Sequence, residues 1–346
     1  MSARPVDRPD PAMRRYAVVG AGAIGAYVGA ALARGGADVT LIARGAHLAA
    51  MRQRGVRVLS ERGDFHVTNC TVSELHEATG PFDCVIVALK ATQIATMLPA
   101  IERLCHPDTR VIGMQNGIPW WYFQRHGGAQ EGLTLESVDP GARLARAFDP
   151  ERVVGCVIYC STEIEEPGVI RHIEGTRYAL GRPDGEVDGA LEQIAAAFTD
   201  GGLKAPVERD LRAQIWVKLM GNAALNPLSA LTRATLATML NDPDVTALVR
   251  GVMDECVALA SALGLTLPVS VEKRIDGARR VGEHKTSMLQ DVERGRTLEY
   301  ECMTGAIVEL GERLGIATPT TRAVHGMIRL LDGALAAPAQ PATIAA

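Results

Sequence analysis

The chain has 346 residues, 47% of them hydrophobic and 22% charged, which is enough for two domains with ordinary cores. A formal net charge of −4 and an aromatic content of 4% exclude a basic nucleic-acid footprint and an aromatic platform for stacked bases. Seven cysteines, an odd number scattered from Cys70 to Cys302, read as reduced thiols of a cytoplasmic protein. Cys156 and Cys160 stand four apart in a run that reads as a strand, a poor arrangement for a metal, so no metal site is expected.

Residues 1–13 are rich in Pro and Arg and read as a disordered leader. Arg14 and Arg15 are then followed by seventeen uncharged residues, 17–33, which superficially resemble a secretory signal. Gly20, Gly22, Gly25 and Gly29 interrupt that stretch, and a strand, a glycine turn and a helix explain it better. Short β-branched runs at 16–19, 39–42, 84–88 and 111–114 alternate with helical stretches, the pattern of a parallel sheet with crossover helices. Further strands are predicted at 153–160, 168–173 and 177–180, an antiparallel extension with turns at Pro167-Gly168 and 174–176, then a helix at 188–200. From Asp210 the pattern changes to amphipathic helices, predicted at 210–225, 227–239, 243–264, 268–282, 297–315 and near 320–335. The expected architecture is therefore α/β: an N-terminal Rossmann-type dinucleotide-binding domain over 14–209 and an all-helical C-terminal domain over 210–335. The tail, 336–346, reads as disordered.

Gly20-Ala21-Gly22-Ala23-Ile24-Gly25 follows the first strand at once and opens a helix, the context a dinucleotide-binding GxGxxG requires. The first glycine permits a tight turn, the second lets a pyrophosphate approach the backbone, and the third allows helix and strand to pack closely. The phosphates would lie on the positive end of the helix beginning near Ala23. The alternative is that the glycines serve only a close turn. An NAD site usually offers Asp or Glu at the end of the second strand, to hold the ribose hydroxyls. Here that strand ends at Ala43-Arg44, and Asp38 stands at its beginning, the wrong end. Arg44 suits the 2′-phosphate of NADP(H), the lesser alternative being a solvated loop residue; Arg52 and Arg54 are weaker candidates. Lys90 and Asn116 each follow a buried strand, where ligands of an open parallel sheet sit, or else are a surface lysine and a turn former before Gly117.

In the helical half, Lys218, Asn222 and Asn226 recur every four positions and form one polar ridge within about 80° of arc, among residues that ought to be buried. Burying them unpaired would cost several kcal/mol each, so something must compensate. A lysine snorkelling along an apolar face is the plainer reading.

Together these pieces resemble the ketopantoate reductase family (2-dehydropantoate 2-reductases). The resemblance runs through nearly the whole chain: GAGAIG at 20–25, LKATQ at 89–93, QNG at 115–117, WVKLMGNAALNPLSAL at 216–231 and SMLQDVERGRTLEYECMTG at 287–305. It implies that Lys218 is the catalytic proton donor and that Glu299 grips the substrate and orients the lysine. It further implies that Asn222, Asn226 and Ser287 bind substrate, that Asn116 contacts substrate and cofactor, that Lys90 lies near the cofactor ribose, and that Arg44 confers NADP preference. The implied activity is NADPH-dependent reduction of 2-dehydropantoate to pantoate, on the route to pantothenate and coenzyme A. The alternatives are the same chemistry on another 2-oxo acid, or a dinucleotide-binding protein without turnover. The expected partner is a small 2-oxo acid, with no nucleic acid and no membrane, and a homodimer is possible on this reading.

The sequence departs from the family pattern at three places. Residues 118–150 carry an aromatic cluster, Trp120 to Phe123, that either narrows the pocket or serves as an oligomer contact or packed surface helix. Thr235-Leu236 stands where some members have a further polar contact, and a Glu-x-Asp pair appears as Glu299-Tyr300-Glu301.

Overall fold

The computed structural model describes residues 13–336. The predicted leader and tail lie outside the described residues, apart from Met13 and Ala336. Met13 packs against the core, with its N–H donating to Gln193 Oε1 at 2.8 Å, and Ala336 ends the last helix. Contacts divide the chain into two units whose segments interleave in sequence. One comprises the residues through Gln115 together with Trp121–Leu133 and Arg143–Leu211; the other comprises Asn116–Trp120, Thr134–Ala142 and the residues from Arg212 on.

The first unit contains β1 (Arg15–Val19), α1 (Ala23–Arg34), β2 (Asp38–Ile42), α2 (Gly45–Arg54), β3 (Val56–Ser60), β4 (Phe65–Val67) and β5 (Thr71–Ser73). It continues with β6 (Phe82–Val87), α3 (Ala91–Glu102), β7 (Cys105–Gly113), α4 (Arg143–Ala147), β8 (Val153–Glu166), β9 (Val169–Gly181) and α5 (Gly189–Asp200). All nine strands join one sheet in the order β4-β3-β9-β8-β7-β6-β1-β2-β5. From β5 through β8 the neighbours are parallel, and the chain reverses its direction of winding between β1 and β6. This is the switch point at which an open α/β sheet binds ligands beyond its strand ends. The buried apolar runs of β1 and β6 are what a strand covered on both faces requires.

The sequence did not announce β3, β4 and β5. β9 pairs antiparallel with β8 and then accepts β3 in parallel, Arg57 opposite Val169 and Ser60 opposite His172. The sheet curls as a result, so that α1 touches β2, β3, β4, β8 and β9. The two strands predicted at 168–173 and 177–180 are one, because the expected turn at 174–176 is absorbed by register shifts in the ladder opposite Tyr159 and Ser161. The helix predicted at 188–200 forms with Asp188 as its cap, accepting from the Leu191 N–H at 2.8 Å.

The second unit is helical: α6 (Leu211–Thr232), α7 (Leu236–Asn241), α8 (Pro243–Ala262), α9 (Val271–Val281), α10 (Ser287–Glu293), α11 (Ala306–Leu314) and α12 (Pro319–Ala336). Its helix boundaries correct the sequence reading in two places. Pro227 does not end the helix at 225; α6 runs through it to Thr232, and Thr235 caps α7. Proline removes one backbone hydrogen bond, and burial of the apolar faces around Trp216, Met220 and Ala224 outweighs that loss. The helix predicted from 297 instead begins with a π-helical turn at Glu301–Gly305 that leads into α11. α10 was not predicted.

Candidate functional site

In the first unit the glycine loop is held at the end of β2, where the N–H groups of Gly20 and Ala21 both donate to the Ile42 carbonyl, at 3.1 and 2.8 Å. A Cβ on Gly25 would collide with the Gly20 carbonyl oxygen, so the third glycine is required by the close approach of α1 to the turn. A Cβ on Gly22 would instead project into open space, the cradle in which a pyrophosphate would lie. The first turn of α1 has no acidic residue and no side-chain cap, which leaves the amides of Ala23, Ile24 and Gly25 directed out of the helix end. The residues present therefore fit a dinucleotide phosphate.

Arg44 follows β2 and caps α2; its guanidinium is exposed, with no hydrogen bond or ion pair among the described residues. Asp38 lies at the opposite end of β2, 3.7 Å from Arg15, and has no access to a ribose beyond Arg44. Arg52 and Arg54 drop out as phosphate ligands: Arg52 pairs with Glu77 and donates to Val72 O at 3.0 Å, and Arg54 donates to Pro167 O at 3.1 Å. Lys90 is half-buried and caps α3 at the end of the β6 segment. Gln115 ties the loop after β7 to the end of β6, with Nε2 donating to Val87 O at 2.6 Å.

One residue beside this loop had no signal in the sequence. His47, on α2, accepts the Gly168 N–H at Nδ1, 3.1 Å, while its buried Nε2 faces the Ala21 carbonyl. Burial lowers its pKa, the carbonyl opposing. Only the tertiary docking of the Pro167-Gly168 turn on α2 reveals it.

In the second unit Lys218, Asn222 and Asn226 all lie on α6, at the spacing that makes one ridge. Lys218 and Asn222 are half-buried and Asn226 is only 8% exposed. Among the described residues neither carboxamide has a hydrogen-bond partner. Trp216, Leu219, Met220, Ala223 and Ala224 are buried around them, so the ridge is fixed on a packed frame. Ser287 is exposed at the first position of α10, held there by the Thr286 cap, whose hydroxyl accepts from Leu289 N–H at 3.2 Å. Glu299 is half-buried just ahead of the π-helical turn.

Asn116 is positioned by that same turn. The Ile118 N–H donates to the Cys302 carbonyl at 2.8 Å, and Gly117, at φ +83°, packs against the Cys302 backbone. π-Turns recur at functional sites because they push one carbonyl out of the regular ladder. Glu301, the departure from the Glu-x-Asp pattern, folds its carboxylate back onto Gly305 beside His325 and Ser137. The other departure, Thr235, is a helix cap: its hydroxyl accepts from Thr238 N–H at 3.3 Å and bonds the Glu283 carboxylate.

The aromatic segment corrects the sequence reading. Trp120, Trp121, Tyr122 and Phe123 are all buried, and they lie in turns, so they form neither a surface helix nor an exposed oligomer contact. Trp121 fills the space over Gly155, where a Cβ would collide with its ring, and Tyr122 meets Phe123 edge-on at 4.7 Å. His126 lies 5.4 Å from the Phe123 ring. Among the described residues no group of three His, Cys, Asp or Glu side chains could hold a metal, and no helix is long and apolar enough to cross a membrane.

Two family models match the chain: ketopantoate reductase PanE/ApbA over residues 16–122, and ketopantoate reductase PanE/ApbA C terminal over residues 210–332. The chain is 44% identical over 318 residues to a 2-dehydropantoate 2-reductase of Mesorhizobium japonicum, covering 92% of this chain and 97% of that one. A 2-dehydropantoate 2-reductase of Archaeoglobus fulgidus is 31% identical, covering 93% and 99%. Among solved structures, 2-dehydropantoate 2-reductase from Geobacter metallireducens aligns with a TM-score of 0.79 at 30% identity, covering 91% of this chain and 99% of that one.

Proposed function

The chain belongs to the ketopantoate reductase family, and we propose that it reduces 2-dehydropantoate to pantoate with NADPH. The first-turn amides of α1 hold the pyrophosphate over Gly22, and Arg44 holds the 2′-phosphate. NADPH, when bound, supplies the hydride that adds to the carbonyl carbon. Negative charge then grows on the ketone oxygen, and Lys218 neutralises it by donating a proton from Nζ. General acid catalysis of this kind contributes about 10² to 10⁴ in rate. Asn222 and Asn226 donate amide N–H groups to the substrate's hydroxyl and carboxylate oxygens, and Ser287 and Asn116 bind its remaining polar atoms. Glu299 grips the substrate and orients the lysine.

The observation that carries this reading is the ridge on α6: two carboxamides, one of them 8% exposed, without a protein partner among the described residues, in line with a lysine. Partly desolvated amides with no protein partner favour a polar ligand that bonds them. The same reading includes a homodimer and a cytoplasmic location, which sedimentation and fractionation test.

The deciding experiment is NADPH consumption over a panel of 2-oxo acids, for the wild type and for Lys218→Ala. The expected result is highest kcat/KM on 2-dehydropantoate, and a variant that loses about 10² to 10⁴ in kcat while NADPH still binds. If 2-dehydropantoate ranked among the poorest substrates, a different 2-oxo acid would be the substrate. If Lys218→Ala lost NADPH affinity and turnover alike, the proton-donor role would be wrong.

A further inference from the structure

Glu299 lies in a stretch, residues 296–300, with no helix or strand of its own to hold it, and its neighbours on both sides are tied to one helix, α12. On one side the Leu298 N–H donates to Asp332 Oδ1 at 2.8 Å, and Leu298 is buried. On the other, the Tyr300 carbonyl accepts the Thr304 hydroxyl at 3.1 Å, and His325 Nδ1 stands 3.1 Å from that same Thr304 Oγ1. A threonine hydroxyl has one proton to give. Since Tyr300 takes it, His325 supplies the hydrogen of the second bond from Nδ1. Burial lowers the His325 pKa, with Arg329 and Arg322 adding to the effect and Glu301 opposing it. The ring is therefore neutral near pH 7, and the bond to Thr304 selects its tautomer.

His325 and Asp332 are seven residues apart, about two turns, and so share one face of α12. The helix is itself fixed. Glu255 of α8 accepts the Thr320 and Thr321 N–H groups, each at 2.8 Å, and the Thr321 hydroxyl at 2.6 Å, while Val324 and Ile328 are buried. Gly305 is required by the same packing: a Cβ there would collide with Glu301 Oε2 and stand 3.3 Å from His325 Cε1. We infer that α12 is a brace for Glu299, with His325 and Asp332 as positioning residues of the reaction. The inference rests on the reductase reading above and extends it to two residues that act through others. A carboxylate on irregular backbone is free to shift by the distance of about 1 Å that matters in catalysis. Two ties to a fixed helix, one on either side of it, remove that freedom.

The test is steady-state kinetics on 2-dehydropantoate with Asp332→Ala, His325→Leu and their conservative counterparts Asp332→Asn and His325→Asn. Asparagine at 332 keeps an acceptor oxygen, and at 325 it places an amide N–H where Nδ1 stood. Asp332→Ala and His325→Leu are each expected to lower kcat by about 10- to 100-fold, while NADPH affinity, read from cofactor fluorescence, stays unchanged. The asparagine variants recover most of the rate. In a Glu299→Ala background the same two changes cost little further, because nothing is left to position. Thr304→Val, which removes the middle of the tie at nearly the same shape, takes the place of His325→Leu if that variant does not fold. Wild-type kcat in the folded variants, asparagine variants no better than the others, or losses that persist in full beside Glu299→Ala would overturn the inference and leave the reductase reading standing. A wild type that turns over no 2-oxo acid would overturn both.

Discussion

Gly117 lies so close to Cys302 that a Cβ at position 117 would stand 2.6 Å from the Cys302 carbonyl carbon and 3.0 Å from its sulfur. With φ at +83°, the position also excludes side chains on conformational grounds. Asn116 is thereby indexed to the π-helical turn that follows Glu299. Gly117→Ala is expected to destabilise the protein by about 1–3 kcal/mol. It should also cut kcat/KM by roughly tenfold or more, because displacements near 1 Å are expensive in catalysis. Thermal melts and steady-state kinetics check both. A variant of wild-type stability and rate would show that this seating is dispensable.

Arg44→Ala should weaken NADPH by about 10- to 100-fold, the span of one charge-assisted phosphate contact, and leave NADH almost unaffected. Fluorescence titration with the two cofactors measures it. Equal losses for both would move Arg44 away from the 2′-phosphate.

His47 makes the glycine loop sensitive to pH. Burial lowers its folded pKa, and Nδ1 must stay unprotonated to accept the Gly168 N–H. Because the folded value lies below the unfolded value of about 6.5, the stabilisation is complete above that pH. It is lost as pH falls through about 6.5 toward the folded pKa. NADPH affinity should decline over the same interval. His47→Gln, whose amide oxygen accepts without titrating, should flatten the decline. An unchanged pH profile in that variant would free the loop from His47.

Glu309 fastens a loop to α11. Its carboxylate accepts from Glu136 N–H at 3.0 Å, Ser137 N–H at 2.9 Å and Ser137 Oγ at 2.8 Å, and pairs with Arg313 at 2.7 Å. Burial pushes its pKa up, but the Ser137 N–H, the Arg313 guanidinium and the Glu136 N–H outweigh it, so the folded value lies below that of an ordinary glutamate. The stabilisation is present above the unfolded value of about 4.3 and lost as pH falls through the lower folded value. Glu309→Gln should be less stable by about 1–3 kcal/mol at pH 7, with the gap closing in acid. Denaturant titrations at the two pH values decide it; a gap independent of pH would exclude the charge as its source.

What the sequence disclosed was local. The glycine loop between β1 and α1 and the four-residue period of Lys218, Asn222 and Asn226 are patterns a single segment carries, so both were legible. The pairing of β3 with β9 was not, since strands as short as Phe65–Val67 are defined by distant partners rather than by their own residues. The π-helical turn has no compositional mark, and α6 continues past Pro227 because packing overrides propensity. His47 sits in an unremarkable helix and acquires meaning only from what lies across from it.

The ladder between β3 and β9 also has a consequence in time. Arg57 and its partner Val169 are separated by roughly a hundred residues, so at about 5–20 residues per second a ribosome delivers the partner on the order of ten seconds later. During that wait the β3 hairpin presents an open hydrogen-bonding edge, and the amide that grips His47 has not yet been made. The contact that docks the Pro167-Gly168 turn on α2 is thus made late, although the glycine loop itself is held by the early Ile42 carbonyl, and a chain that stalls before residue 169 leaves that edge open to chaperones or aggregation.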